Sequence, residues 1–260
     1  SLLGNSQTGM NAPRGIVYDP TTKRLFVAQT TGDRISIYDL TNGITSDGMN
    51  AAYVIGQQNF TTVTANSTQD GLSAPTGILV DAPNNRLYVL ETNNHRVSIF
   101  SLTTSIANNM AASHVLGQPD FVTATAAQTQ AGMNVPRGIA YDTAHQILYV
   151  AQTTPSHRIT SYDLSSNFTN GKNAVHVLGQ ANFTASAGAQ TTQAGLSSPN
   201  GLYFDTGNSR LYVADGGNSR ILIYNTASIS DGQNANDALG QYDDSMSAPS
   251  PIYTKGTANN

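Results

Sequence analysis

The chain has 260 residues, 38% of them hydrophobic, enough to bury substantial apolar area. Charged residues make up only 11% and the formal net charge is -4, so no basic field gathers phosphates and nucleic acid is not an expected ligand. Cysteine is absent, which removes disulfides and thiolate metal sites, and no run approaches the roughly 18 consecutive apolar residues of a membrane helix.

The chain opens at Ser1 with no basic-then-apolar leader, which points to a processed chain or a piece of a longer one. Leu2-Leu3-Gly4-Asn5 reads as a closing-strand phrase, and Gln7-Thr8-Gly9-Met10-Asn11-Ala12-Pro13 parallels Gln130-Ala131-Gly132-Met133-Asn134-Val135-Pro136. Residues 1–12 are therefore expected to be the tail of a preceding repeat.

From Pro13 one order of residues recurs four times. The openings Pro13-Arg14-Gly15-Ile16, Pro75-Thr76-Gly77-Ile78, Pro136-Arg137-Gly138-Ile139 and Pro199-Asn200-Gly201-Leu202 are 62, 61 and 63 residues apart. Each opening strand ends on an Asp (Asp19, Asp81, Asp142, Asp205), whose recurrence in every unit implies a turn or strand-end cap and not a ligand. An apolar run follows (Leu25-Phe26-Val27, Leu87-Tyr88-Val89, Leu148-Tyr149-Val150, Leu211-Tyr212-Val213), and then an alternating run led by Arg34, Arg96, Arg158 or Arg220. The unit closes on Ile55-Gly56-Gln57, Leu116-Gly117-Gln118, Leu178-Gly179-Gln180 or Leu239-Gly240-Gln241, before a Thr/Ala/Gln/Ser stretch leads to the next Pro.

Four short strands per unit and no extended 3.6-residue period predict an all-β fold, a β-propeller of four-stranded antiparallel blades. The repeats run approximately 13–74, 75–135, 136–198 and 199–248 in a single domain, and 249–260, with Ser247-Ala248-Pro249-Ser250-Pro251-Ile252-Tyr253, reads as the head of a further blade. A blade cannot bury both faces alone, so neighbouring blades must stack. The Pro-x-Gly glycine suits either a crowded approach of innermost strands or an ordinary turn. Joining the two ends would give a fifth blade with only its first and last strands, so the chain is expected to close or extend its sheet through another copy of itself. Units one and three share Met-Asn-x-Pro-Arg-Gly and Val-Ala-Gln-Thr-Thr, while two and four share Gly-Leu-Ser-x-Pro and Asn-x-Arg-Leu-Tyr-Val, the mark of a duplicated two-blade piece.

Leu211-Tyr212-Val213-Ala214-Asp215-Gly216-Gly217-Asn218-Ser219-Arg220-Ile221 resembles the signature of the NHL repeat, and Asn94-His95-Arg96-Val97 carries its Asn-His core. Val115-Leu116-Gly117-Gln118-Pro119-Asp120-Phe121, echoed at Val177-Leu178-Gly179-Gln180-Ala181-Asn182-Phe183, is similar to the blade ends of a bacterial exported variety. The resemblance implies a propeller exported to the extracellular space or cell surface, although propellers of that family commonly have six blades and shorter repeats. Fold does not fix function here.

In propellers the loop entering the innermost strand and the loop between the second and third strands lie on one face, at the mouth of the central channel. Arg14, Thr76, Arg137 and Asn200 from the first, with Gln29, Glu91, Gln152 and Asp215 from the second, are thus the candidate ligand residues, joined by Asp33, His95 and His157. Two arginines on alternate blades suit a carboxylate or sugar acid, or else each pairs within its blade. Ser198-Pro199-Asn200-Gly201-Leu202 is similar to a phrase in which calcium-dependent lactonases bind their ion through the Asn, but only Asn200 carries over, so calcium stands as an alternative to no cofactor. His114 and His176 fall on outermost strands, and neither a metal set nor a nucleophilic triad is evident. Sequons at Asn59, Asn66, Asn167 and Asn182 fall in loops and are glycosylation candidates. The reading is a non-catalytic binding or assembly module, with protein, glycan or further copies as partners. The alternative is a divalent-metal hydrolase or lyase, lactonase-like or amidating-lyase-like. RNA binding is disfavoured because no face is basic.

Overall fold

In the computed structural model, residues 4–103, 105–166, 168–241 and Tyr253 are described. Among them the only helix is a 3-10 turn at Gly216–Asn218, and none is long and apolar enough to cross a membrane. The first repeat supplies β1 (Pro13–Asp19), β2 (Arg24–Gln29), β3 (Arg34–Asp39) and β4 (Tyr53–Ile55), and the second β5 (Pro75–Asp81), β6 (Arg86–Glu91), β7 (Arg96–Ser101) and β8 (His114–Leu116). The third supplies β9 (Pro136–Asp142), β10 (Ile147–Gln152), β11 (Arg158–Asp163) and β12 (His176–Leu178), and the fourth β13 (Pro199–Asp205), β14 (Arg210–Asp215), β15 (Arg220–Asn225) and β16 (Asp237–Leu239). Each repeat is one antiparallel sheet with its strands in sequence order, the blade of a β-propeller.

The expected capping role of the recurring Asp is visible at every blade. Asp19 accepts from Thr21 N–H and Thr22 Oγ1, Asp81 from Asn84, Asp142 from Ala144, His145 N–H and His145 Nδ1, and Asp205 from Gly207 N–H and Asn208 Nδ2. These short polar side chains reverse the chain between first and second strands.

The closing phrase marks the end of each blade. The fourth strands stop at Ile55, Leu116, Leu178 and Leu239, because the next residue is a glycine at φ between +85 and +91° that turns the chain out of the sheet. The glutamine after it pins the turn. Gln57 Nε2 donates to the carbonyls of Asp33 and Thr64 and its Oε1 accepts from Thr64 N–H, and Gln118 does the same with His95 and Thr125.

By contact the chain divides into two compact units, Ser1–Thr125 with Thr169–Gly171 and Ala126–Phe168 with Lys172–Asn260. In the first, Phe26, Ala28, Ile35, Ile37 and Ile55 of the first blade form one core with Ile78, Leu87, Val89 and Phe100 of the second. In the second, Ala140, Tyr149, Ala151, Ile159 and Leu178 of the third blade meet Phe204, Leu211, Val213, Leu222 and Tyr224 of the fourth, with Tyr149 stacked on Phe204 at 5.6 Å between ring centres. Because side chains alternate across a strand, one blade face carries each of these sets. Burying such a side chain stabilises by about 1.5–3 kcal/mol, so stacking holds each unit together.

Hydrogen bonds add a latch at the blade rim. The loop between the third and fourth strands of one blade reaches the outer strand of the blade before it. Val54 N–H donates to Asn108 Oδ1 at 3.0 Å and Val54 O accepts from Asn109 N–H at 2.9 Å. Val115 is latched in the same way by Asn170 and Gly171, and Val177 by Asp231 and Gly232. Asn109, Gly171 and Gly232 all adopt left-handed φ, which aims the amide at the neighbouring strand.

At the N-terminus, residues 4–12 take the place of the lead-in stretches of later repeats, as the parallel with 130–136 implies, while Leu2 and Leu3 lie outside the described residues. At the C-terminus, Ser247–Ile252 also lie outside them. Tyr253 is not in a first strand. It stands where Phe60, Phe121 and Phe183 stand in earlier repeats, its carbonyl accepting from Arg220 Nη1 as theirs accept from Arg34, Arg96 and Arg158.

Candidate functional site

The eight candidate ligand residues separate into a buried set and a surface set. Gln29, Glu91, Gln152 and Asp215, expected at the channel mouth, are fully buried. Each ends a second strand and faces the arginine that starts the third across a tight turn, Gln29 opposite Arg34 and so on through Asp215 opposite Arg220.

In the second blade, Glu91 accepts from Arg96 Nε at 2.7 Å and Nη2 at 3.2 Å, from Asn94 Nδ2, from Ser98 Oγ and from Ser73 N–H. Only an ionised carboxylate matches such a shell of donors. Burial pushes the Glu91 pKa up, and Arg96, Ser98 and Asn94 pull against that rise. The rest of the Arg96 guanidinium binds the carbonyls of Ser67, Thr68 and Gly71 in the lead-in to the blade's first strand and of Phe121 after its last strand. One arginine thus ties the segments that enter and leave the blade to its hairpin.

The other blades keep this bracket with changed partners. Gln29 and Gln152 accept from Arg34 and Arg158 through Oε1 and donate through Nε2 to Ser36 and Thr160. Asp215 accepts from Arg220 Nε at 2.8 Å, Asn218 Nδ2 and Ser197 N–H. Where the partner is an acid, an asparagine two residues before the arginine fills the extra lone pairs. Where it is a glutamine, Gly32 or Ser156 stands there. This explains the alternation between odd and even repeats. The motif was in the sequence, but its burial was not, and burial turns four candidate ligand residues into structural ones.

Of the first set, Arg14 is exposed and Thr76 half-buried in the first unit, with Thr76 Oγ1 3.1 Å from Thr92 Oγ1. In the second unit Arg137 and Asn200 are exposed, and a Cβ on Gly216 would come within 2.8 Å of Asn200 Nδ2, so the Asn200 amide lies against the 3-10 turn. These four remain on the surface.

Two of the loop residues tie adjacent blades. Asp33 Oδ1 accepts Ala74 N–H at 2.7 Å in the first unit, and His157 Nδ1 accepts Ser198 N–H at 2.9 Å in the second. Burial raises the Asp33 pKa against the opposing Ala74 hydrogen bond, and burial lowers that of His157 against the opposing Asp215 charge. The neutral His157 ring is the form that accepts from an amide. His114 and His176 lie on the outermost strands β8 and β12, as expected. Among the described residues no three His, Asp or Glu side chains are placed to share a metal ion.

Asn59, Asn66 and Asn182 are exposed, and Asn167 lies outside the described residues. Asn59 Oδ1 accepts Thr61 and Thr62 N–H, and Asn182 Oδ1 accepts Thr184 and Ala185 N–H, the same turn that Asp120 makes in the second repeat. Two of the sequons therefore have a structural reason to carry Asn followed two residues later by Thr.

The comparisons with known proteins agree with this architecture. A family profile described as NHL repeat matches residues 72–100, which hold β5, β6 and nearly all of β7. Over 103 residues the chain is 30% identical to NHL repeat-containing protein 2 of Gallus gallus, a stretch covering 38% of this chain and 13% of that protein. A chain in a crystal structure of a nidogen/laminin complex matches at TM-score 0.53 and 19% identity, covering 84% of this chain and 62% of that one, a likeness of fold. The chain thus spans a small part of the curated relative and less than two thirds of the structural one. The matched segment lies in one of four repeats built around the same arginine, and the chain is a β-propeller with an NHL repeat at residues 72–100.

Proposed function

We propose that this propeller is a non-catalytic interaction module, exported to the extracellular space or cell surface, that presents a neutral polar surface to proteins or glycans and serves as a repeating subunit of an extracellular assembly. One observation carries the reading. The repeated polar residues that most resemble a binding site, from Gln29 to Asp215, are enclosed by brackets inside their own blades, and the surface is left to Asn, Gln, Ser and Thr side chains with isolated charges. Further support comes from the β-propeller fold and from the exposure of Asn59, Asn66 and Asn182, where sugars would be accepted in an exported protein.

Elemental analysis and a glycan array on the purified chain, with a lactone and a peptidyl-glycine as trial substrates, test the reading. The expected result is binding of a glycan or protein ligand without stoichiometric calcium or zinc and without turnover. Stoichiometric metal with turnover of either substrate would overturn it.

A further inference from the structure

Each unit holds a cleft at the rim between its two blades, built on the same frame but with a different lining. In the first unit the floor is a backbone bridge between Gly56 and Gly71, and in the second a bridge between Gly179 and Gly195. On one wall Thr64 N–H donates to the side-chain oxygen of Gln57, as Ala187 N–H does to that of Gln180. The other wall is the latch, where Asn109 N–H meets Val54 O and Gly232 N–H meets Val177 O, each at 2.9 Å.

The side chains set on this frame differ position by position. The first cleft, about 290 Å³ in volume, is lined by Gln58, Thr62, Thr64, Asp70 and Asn109. At the equivalent positions the second has Ala181, Ala185, Ala187, Ala194 and Gly232. Five polar side chains thus stand at positions where the second unit builds the same floor, turn and latch from alanine and glycine. Folding therefore accounts for the second lining and not for the first.

The chemistry of the first lining narrows what it can hold. No Arg, Lys or His lines the cleft, so nothing there neutralises a phosphate or a carboxylate. A single carboxylate is too few for a calcium ion, and with no aliphatic or aromatic wall an apolar ligand gains nothing. Neutral hydroxyls and amides around Asp70 are what is left. Asp70 accepts from Thr68 Oγ1 at 2.7 Å and from Asn109 Nδ2 at 2.8 Å, which fixes a carboxylate beside an amide. The Thr68 hydrogen bond lowers the Asp70 pKa against the effect of burial, and Asn109 adds to the lowering. Each carboxylate oxygen keeps further lone-pair capacity and the Asn109 amide has a second N–H, so an acceptor and a donor stand side by side. Adjacent hydroxyls of a sugar, each able to give and to take a hydrogen bond, match that pair.

Resting on the reading of this protein as a module that presents a neutral polar surface to proteins or glycans, we propose that the cleft of the first unit is a saccharide-binding site. Asp70 and Asn109 hold neighbouring hydroxyls of one sugar ring, and Gln58, Thr62 and Thr64 face the rest of it. The second unit keeps the frame without the site.

Backbone amide NMR of the full chain tests this in titrations with neutral hexoses, N-acetylhexosamines and their disaccharides. The chain is first treated to remove any N-linked sugar, because Asn66 also lines the cleft and a glycan attached there would compete with the free saccharide. Saturable shift changes are expected at Gln58, Thr64 and Asp70, and none at Ala181, Ala187 and Ala194. Asp70→Ala installs the residue of the second unit and should weaken binding about tenfold, the loss of hydrogen bonds to a charged group. Asn109→Gly sits at a left-handed φ that glycine adopts freely, should weaken binding about fivefold, and keeps the test open if Asp70→Ala does not fold. Absence of shift changes with every saccharide, equal changes in both clefts, or wild-type affinity in a folded variant would overturn the proposal. A glycan or protein ligand that binds elsewhere without metal or turnover defeats this site alone, whereas stoichiometric metal with turnover defeats the reading beneath it.

Discussion

Arg96→Leu is expected to cost about 3–5 kcal/mol of unfolding free energy, because it strands a buried carboxylate and several buried carbonyls at once. The guanidinium is fully enclosed and reaches Glu91, the lead-in carbonyls of Ser67, Thr68 and Gly71, and Phe121 O. A leucine fills part of the volume and satisfies none of these groups. Glu91→Gln should be far milder, about 1 kcal/mol, since Gln29 and Gln152 hold the same position against Arg34 and Arg158. The residual cost arises at Asn94, whose amide would face a second amide donor. Adding Asn94→Ser, the residue of the third blade, should recover most of it. Urea unfolding followed by circular dichroism reads all three variants. If Glu91→Gln proved as damaging as Arg96→Leu, the bracket would depend on charge and the equivalence of the four blades would fail.

Gly138→Ala is the second large effect. Its Cβ would stand 2.6 Å from Asn200 O and 3.0 Å from Asn200 C, both backbone atoms of an innermost strand that cannot swing aside. Relief requires the third and fourth blades to separate at their closest approach, and overpacking of this kind costs about 1–3 kcal/mol. Gly15→Ala, with Thr76 O at 2.5 Å, should behave alike in the first unit. Gly201→Ala is the control, with only Ala214 Cβ at 3.4 Å, and in dilute solution should change stability by no more than about 0.5 kcal/mol. Equal losses at Gly138 and Gly201 would mean that the glycine serves its own turn and not the contact between blades.

The fold was legible because its signals are local and repeated. Pro-x-Gly, the strand-ending Asp, the Arg-led alternation and the Gly-Gln close occur in one order four times, and each has a visible mechanical role. The candidate site was legible only as a set of repeat positions. Nothing in the residue types at 29, 91, 152 and 215 distinguishes a side chain lining a channel from one sealed in its blade, because that depends on which way a hairpin end tilts. One signal was available. Asn94 and Asn218 accompany Glu91 and Asp215, while Gly32 and Ser156 accompany Gln29 and Gln152. Such matching of neighbour to partner belongs to an internal hydrogen-bond set and has no reason to arise around a shared ligand. The latch was harder to find, since Asn108, Asn170 and Asp231 lie in loops and act on a strand some 55 residues earlier.

Amide hydrogen exchange at the central residue of each outer strand tests most directly whether stacking of equivalent blades organises this protein. In dilute solution, Val54, Val115 and Val177 should exchange slowly, each held by the loop of a later repeat, and Ala238 should exchange quickly. Fast exchange at the three valines, or protection of Ala238 equal to theirs in the monomer, would contradict it.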